Sequence, residues 1–223
     1  MAYQLLDQTT TPDGEPLELT LERGYYVLRV GAHVLMSSAC YGSERAMASI
    51  AAEIVGDIKK ARVLVGGLGM GHTLRAALDN FGHDARVTVA ELLPPVIRYN
   101  QGVLGHLASQ PLRDRRVTLF EGDVAVALAD GPWDVVLLDV DNGPDAMVVG
   151  DNAALYGPAG SRRLAESLSP RGVAIVWAAY PSRAYEKILA AAGLTVTTRR
   201  VRARWPLRKG STHVLFIARH LGA

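Results

Sequence analysis

From Arg62 onward, short β-branched runs alternate with helix-length stretches, and no other feature constrains the fold of this chain as strongly. RVLVGG is followed by TLRAALDNF, RVTVAE by PPVIRYNQGVL, RVTLFEGD by VAVALA, and WDVVLLDVD by a longer loop and SRRLAESL. GVAIVWAAY adds a fifth strand and PSRAYEKILAAAG a fifth helix. Strands with nearly continuous apolar runs are buried on both faces, so the alternation predicts a mostly parallel sheet covered by helices on both sides. Two further strands, LTVTTRRVRARW and STHVLFIAR, joined by a turn at PLRKG, close the chain. A plain dinucleotide-binding fold would instead continue to a sixth parallel strand.

The front of the chain has a different pattern. LELTLERGYYVLRVGAHVLM, residues 17 to 36, is β-rich with partial alternation and is broken at Arg23-Gly24 and Gly31-Ala32, which predicts a small antiparallel meander. From Ser43 to about Asp57, apolar residues at Ala46, Met47, Ile50, Ala51, Ile54 and Val55 follow helical spacing, with Ser43 as the expected cap. We therefore divide the chain into a β-rich segment over 1–42 and an α/β domain over 43–223. With 223 residues, 49% of them hydrophobic, and no linker or low-complexity tract, the two are expected to pack together.

Charge and cysteine content exclude some functions. The formal charge is +2, which exerts no overall pull on nucleic acid or anionic lipid. Arg199, Arg200, Arg202, Arg204, Arg208 and Lys209 nevertheless cluster in eleven residues with Trp205 among them, and the rest of the chain is net −4. Such a run is more often a solvated strand face or a subunit contact than a nucleic-acid site. The single Cys40 excludes an intrachain disulfide and a multi-cysteine zinc site, and is read as a small hydrophobe. MAYQLLDQTT has no basic and apolar leader pattern, and no apolar stretch reaches the roughly 20 residues that span a bilayer. A cytoplasmic protein without membrane contact is expected.

Three places could carry chemistry. Gly67-Leu68-Gly69-Met70-Gly71 lies between a strand and a helix, where glycine lets the backbone turn and approach a ligand at a helix N-terminus. Glu91 ends the next strand 24 residues after Gly67, the place from which an acidic side chain takes ribose hydroxyls. His72 stands where the dinucleotide fingerprint wants glycine, which disfavours a pyrophosphate and a nicotinamide-dependent oxidoreductase and leaves adenosine. Asp123, at the end of RVTLFEGD and followed by Val124, could accept from an adenine amino group or could cap the next helix. Asp139 ends the fourth strand of the alternation and Asp141 follows in the loop, placing carboxylates where the group transferred from a sulfonium donor would lie. An EF-hand fails here, with Gly143 at position 5, Pro144 at 6 and Gly150 at 12, while a magnesium site on Asp139, Asp141 and Asn142 stays open beside the metal-free reading. Tyr41, Tyr156, Trp177 and Tyr180 fall near strand ends or loops, where an aromatic ring could wall an amine site. His72 could touch a donor or cap a helix.

VLVGGLGMGHTLRAAL, VTVAELLPPVIRYN, VTLFEGDV, VVLLDVDNGP and LYGPAGSRRLAESLSPRGV, in that order, resemble the core of the spermidine synthase (polyamine aminopropyltransferase) family, and LMSSACYGSERAM resembles the segment before it. The resemblance covers most of residues 35 to 178. It implies a Rossmann-like, seven-stranded class I S-adenosylmethionine-dependent methyltransferase fold behind a small β-rich segment. It also implies Glu91 on ribose, Asp123 near adenine, Asp139 as the residue that binds and deprotonates an acceptor amine, and a homodimer. Tyr156 matches an aromatic position of the family, and Glu44 aligns with the glutamate of its Y-Q-E segment.

The chain departs from the family's pattern in three places. Met70 stands where the family's G-G-G-D-G-G-T-L-R loop carries an aspartate facing the amino end of the aminopropyl chain. Two like charges at about 4 Å and an effective dielectric of about 20 repel by about 4 kcal/mol, so its loss removes a barrier to the carboxylate of intact S-adenosylmethionine. The family's D-S-S-D-P is shortened to Asp139-Val140-Asp141-Asn142-Gly143, and Gly42-Ser43-Glu44 has lost the glutamine of Y-Q-E. Our reading is methyl transfer from S-adenosylmethionine to an amine-like small molecule. Its alternatives are aminopropyl transfer from decarboxylated S-adenosylmethionine and a non-catalytic nucleoside- or polyamine-binding protein. Asp139 is the catalytic candidate. Gly67, Leu68, Gly69, Met70, Gly71, Glu91, Asp123 and Val124 are candidates for the donor, and Asp141, Tyr156 and Glu44 for the acceptor.

Overall fold

The computed structural model describes residues 3–140, 152–204 and 209–220. The front of the chain forms an antiparallel meander, β1 (Tyr3–Thr10), β2 (Pro16–Glu22), β3 (Tyr25–Val30) and β4 (His33–Ser37), paired in chain order. Its turns fall at the expected breaks, with Arg23, Gly24 and Gly31 at φ 51°, 85° and 53°. β1 is an addition to the sequence reading: it is an edge strand, mostly exposed, so its residues carry no apolar alternation to signal it.

Helix α1 (Gly42–Val55) joins this meander to the α/β part. Its first turn corrects the expected cap. Tyr41 is the N-cap residue and makes no side-chain cap, while Ser43 is a buried helical residue, 1% exposed, whose hydroxyl is engaged elsewhere.

The alternation then unfolds as β5 (Arg62–Gly66), α2 (His72–Asn80), β6 (Arg86–Glu91), α3 (Pro94–Gln101), β7 (Val117–Glu121), α4 (Val124–Ala127) and β8 (Trp133–Leu138). After the loop come α5 (Asn152–Tyr156), α6 (Pro158–Ser167), β9 (Leu168–Ala178), α7 (Arg183–Ala191), β10 (Leu194–Arg204) and β11 (Lys209–His220). The short α5 lies within the stretch expected to be loop, and the expected turn residues 205–208 lie outside the described residues.

Among the described residues these strands form a seven-stranded sheet in the order β10-β11-β9-β8-β5-β6-β7. The five strands β5 to β9 run parallel, and β11 inserts antiparallel between β9 and β10. The predicted α/β class and terminal hairpin are thus present.

Period-2 alternation sorts the strand residues onto two cores. Val63, Val65, Val135, Leu137, Val173 and Ile175 face one side, shared with Met47 of α1, Leu74 of α2 and the meander's Leu17, Leu19 and Leu28. Leu64, Val136, Leu138, Ala174, Val176 and Phe216 face the other, against Leu164 of α6 and Leu189 of α7. The meander therefore closes one face of the sheet and forms one core with it. Among the described residues no helix is long and apolar enough to cross a membrane.

β10 is an edge strand, and its Arg199, Arg200, Arg202 and Arg204 are exposed. Charge on an edge discourages pairing with another chain, and Arg199 also approaches Glu53 at 3.5 Å, an exposed pair of little energetic weight. The chain runs outward from β5 through β6 to β7 and returns to β8 on the other side of β5. That reversal opens a crevice at the carboxyl ends of β5 and β8, the usual ligand position in an open α/β sheet.

Candidate active site

The glycine loop after β5 lies in this crevice, and its backbone explains its composition. Gly67, Gly69 and Gly71 have φ of 88°, 52° and 83°, a region that costs a residue with a Cβ. A Cβ on Gly67 would also run into the Asp139 carbonyl oxygen, because β5 and β8 are adjacent strands here, with the Asp139 N–H donating to the Gly66 carbonyl at 2.8 Å. Leu68 and Met70, between the glycines, turn their side chains into the core, at 2% and 4% exposure.

Glu91 ends β6 and is buried at 8% exposure. Its Oε2 accepts the Leu68 N–H and its Oε1 the Leu93 N–H, each at 2.9 Å. These bonds lock the glycine loop to the next βα turn. A carboxylate has about four lone-pair directions and can accept several bonds at once.

Asp123 is exposed and caps α4, its Oδ1 accepting the Ala125 N–H at 2.8 Å. The two sequence readings of Asp123, helix cap and ligand acceptor, are compatible, because the cap uses one oxygen. Val124 behind it is 6% exposed.

Two cavities meet at these residues. One, of about 250 Å³, is lined by Gly67, Gly69, Glu91, Asp123, Val124 and Asp139, with Asp13 and Glu15 of the β1–β2 connection reaching over it. The other, of about 280 Å³, is lined by Glu44, Met70, His72, Asp139, Trp177 and His213. Gly69, Asp139 and the β4 residues Leu35 and Met36 border both. Each is just below the usual small-molecule range of about 300–1,000 Å³, and together they fall inside it.

Asp139 stands at the junction. Thr73, in the first turn of α2, donates from Oγ1 to Asp139 Oδ2 at 2.6 Å. Burial pushes the Asp139 carboxyl up to about 6, against the Thr73 bond, which favours the charged form. Glu44 of α1 faces it from the second cavity. Burial, and then the charge of Asp139, raise Glu44 to about 8, although the Ser43 hydroxyl donates to its Oε2 at 2.7 Å. Both carboxyls are thus held above the usual carboxylate range, Glu44 further than Asp139, which leaves Asp139 the readier of the two to ionise and take a proton. Such divergence between neighbouring carboxyls separates an acid from a base.

The aromatic candidates divide. Trp177 near the end of β9 lines the carboxyl-bearing cavity, and its Nε1 has no hydrogen-bond partner among the described residues. Tyr41 stacks on His72, ring centroids 4.4 Å apart, and burial lowers His72 to about 4, so this histidine presents a neutral wall. Tyr180 is 72% exposed. Tyr156 is 4% exposed, and its hydroxyl donates to the Val140 carbonyl at 3.0 Å, so it supports the strand end beyond Asp139 and does not line either cavity. Cys40, partly buried, lies in the wall of the cavity that holds Glu44.

Asp141 and Asn142 lie outside the described residues, and with them the acidic-loop reading. Among the described residues, no three His, Cys, Asp or Glu side chains converge as metal ligands. Ser43 and His213 are site residues that the sequence reading missed. Their side chains meet at 2.9 Å across 170 residues, a proximity no local spacing signals.

No family model and no curated protein sequence matches the chain. Solved structures do. The fold matches that of a spermidine synthase from Thermotoga maritima with a TM-score of 0.72 and 12% identity, over 96% of this chain and 72% of that one. It matches a spermidine synthase in complex with the transition state analogue AdoDATO with a TM-score of 0.70 and 13% identity, again over 96% and 72% of the two chains. This chain thus shares the fold of these two spermidine synthase structures, a Rossmann-like α/β sheet behind a β-rich front segment.

Proposed function

We propose that the chain is an alkyltransferase that binds an adenosyl sulfonium donor and hands its alkyl group to a small amine. The observation that carries this reading is the position of Asp139, a carboxylate shared by the cavity that the glycine loop, Glu91 and Asp123 line and a second cavity walled by Glu44, Trp177 and His213. Buried acceptor oxygens on Glu91 and the open oxygen of Asp123 fit a ribose and an adenine amino group. The donor supplies a carbon already activated by the sulfonium, which leaves the protein two tasks. The glycine loop and Glu91 fix the nucleoside, and Asp139 orients the amine and takes its proton; alignment of this kind can lower a barrier by about 7–11 kcal/mol. A base near pKa 6 is suited to that transfer at neutral pH.

Aminopropyl transfer from decarboxylated S-adenosylmethionine is the reading favoured by the fold, since both structures compared above are spermidine synthases. Methyl transfer from intact S-adenosylmethionine is the second reading, and Met70 favours it. An apolar side chain, only 4% exposed, lies where the resembling family has its aspartate, and it borders the cavity that holds the carboxyl pair.

Paired calorimetry with the two donors, on the wild-type protein and on Met70→Asp, separates these readings. Tighter binding of the decarboxylated donor, strengthened by Met70→Asp, supports aminopropyl transfer. Preference for the intact donor, weakened by Met70→Asp, supports methyl transfer. Tight binding with no product over a panel of amines would leave a nucleoside-binding protein, and no binding of either donor would overturn the proposal.

A further inference from the structure

Glu44 is connected to the protein surface by hydrogen bonds that the alkyl-transfer reading does not use. The Ser43 hydroxyl lies 2.7 Å from Glu44 Oε2 and 2.9 Å from His213 Nδ1, and His213 Nε2 lies 2.9 Å from the Ser211 hydroxyl. Ser43 is 1% exposed, His213 is half-buried and Ser211 is exposed, and His213 and Ser211 line the same cavity as Glu44, so the chain of contacts runs along the cavity wall from the carboxyl to an exposed hydroxyl. The Trp177 ring, 4.7 Å from the imidazole and at 70° to it, fixes the plane of the relaying ring. We propose that Ser43, His213 and Ser211 form a proton relay between Glu44 in the carboxyl-lined cavity and the protein surface.

The relay has two balanced states. In one, Glu44 is protonated and donates to Ser43 Oγ, Ser43 donates to His213 Nδ1, and His213 Nε2–H donates to Ser211, whose own proton faces solvent. In the other, each proton has moved one bond outward: Glu44 is ionised and accepts from Ser43, His213 Nδ1–H donates to Ser43, and Ser211 donates to His213 Nε2. One proton has reached water, and the imidazole is neutral at both ends, having changed tautomer only. Burial favours that neutral imidazole by lowering the His213 pKa.

The other titratable and charged groups around the relay are Asp139 at the end of β8, His72 on α2 and Arg45 on α1. On β10, Arg200 and Arg202 flank Val201, the strand partner of His213. A cationic amine beside Glu44 would favour its ionised form, and the relay would carry the released proton along the cavity wall to the exposed Ser211. In that role the relay rests on the amine reading above, whereas the hydrogen-bonded connection itself does not.

Two experiments test it. The ¹⁵N NMR shifts of His213 in the wild-type protein, followed from pH 6 to 10 across the titration of Glu44 near 8, should convert from the Nε2–H to the Nδ1–H pattern without the ring becoming charged. Ser43→Ala should abolish the conversion. A tautomer that stays fixed while Glu44 titrates would overturn the relay, whether or not turnover is found.

Where wild-type turnover is established, His213→Ala should lower kcat by about 10²-fold, the lower end of what a positioned proton-transfer group contributes. Donor Kd should stay within about twofold, and added imidazole should restore the rate. Full kcat in His213→Ala, or a loss that imidazole leaves untouched, would overturn the relay. Absence of wild-type turnover with every donor and amine would count against the alkyl-transfer reading alone and leave the tautomer experiment to decide the relay.

Discussion

Replacing Thr73 by Val tests whether the base is tuned as the structure indicates. Valine keeps the shape of a buried helical residue, 2% exposed, and deletes the hydroxyl that donates to Asp139 Oδ2 at 2.6 Å. A hydrogen bond to a charged group contributes about 1.5–3 kcal/mol, and one pKa unit corresponds to about 1.4 kcal/mol, so the loss should raise Asp139 by about 1–2 from its value of about 6. The ionised fraction at pH 7 should then drop from about nine-tenths to between about a half and a tenth. Because the Asp139 charge is one of the causes that raise Glu44, Glu44 should move down as Asp139 moves up. Carboxyl ¹³C NMR titration of the wild type and the variant reads both groups. The acid limb of the rate profile should move to higher pH with Asp139. Two carboxyls that keep their order and spacing in Thr73→Val would refute the argument that this single bond holds Asp139 down.

Two further outcomes follow from the same geometry. Glu91→Gln leaves one acceptor oxygen for the N–H groups of Leu68 and Leu93, so one of them loses its partner and the glycine loop loosens. Calorimetry should show either donor binding about ten- to a hundredfold more weakly, and unchanged affinity would remove Glu91 from the donor site. Stability should also fall as pH rises. The unfolded chain releases the protons of Asp139 and Glu44 near 3.8 and 4.5, whereas the folded chain holds them to about 6 and 8. These two carboxyls bind more protons in the native state between about pH 4 and 8, whereas His72, lowered to about 4, and His213, also lowered, bind fewer below about 6.5, so unfolding free energy declines most clearly between about pH 6.5 and 8 and levels off above it. Thermal melts at pH 6.5 and pH 9 should show the decline, and Glu44→Gln should reduce it; a melting temperature that rises from pH 6.5 to 9 equally in both proteins would contradict these assignments.

Much of the fold was legible because its signals are local. Each βα unit sits within about thirty residues, so buried strands such as VVLL, helix-length stretches and the Gly67-to-Glu91 spacing can be read along the chain. The two hairpin breaks of the meander and the antiparallel final pair follow from turn chemistry in the same way. Less legible were β1, whose exposed edge position leaves no apolar rhythm, and Ser43, whose residue type signals a cap while its surroundings bury it.

The sequence by itself determined the layers, the strand types, and a glycine loop with acidic groups at strand ends, because these depend on neighbours a few residues apart. Only the tertiary structure decided that α1, β8 and β11 bring Glu44, Asp139 and His213 to one cavity, that Trp177 walls it, and that Tyr156 supports a strand end from outside it. The carboxyl pair is raised by burial and, for Glu44, by the charge of Asp139, and both depend on distances set by packing of the sheet, α1 and the meander, which no spacing along the chain encodes.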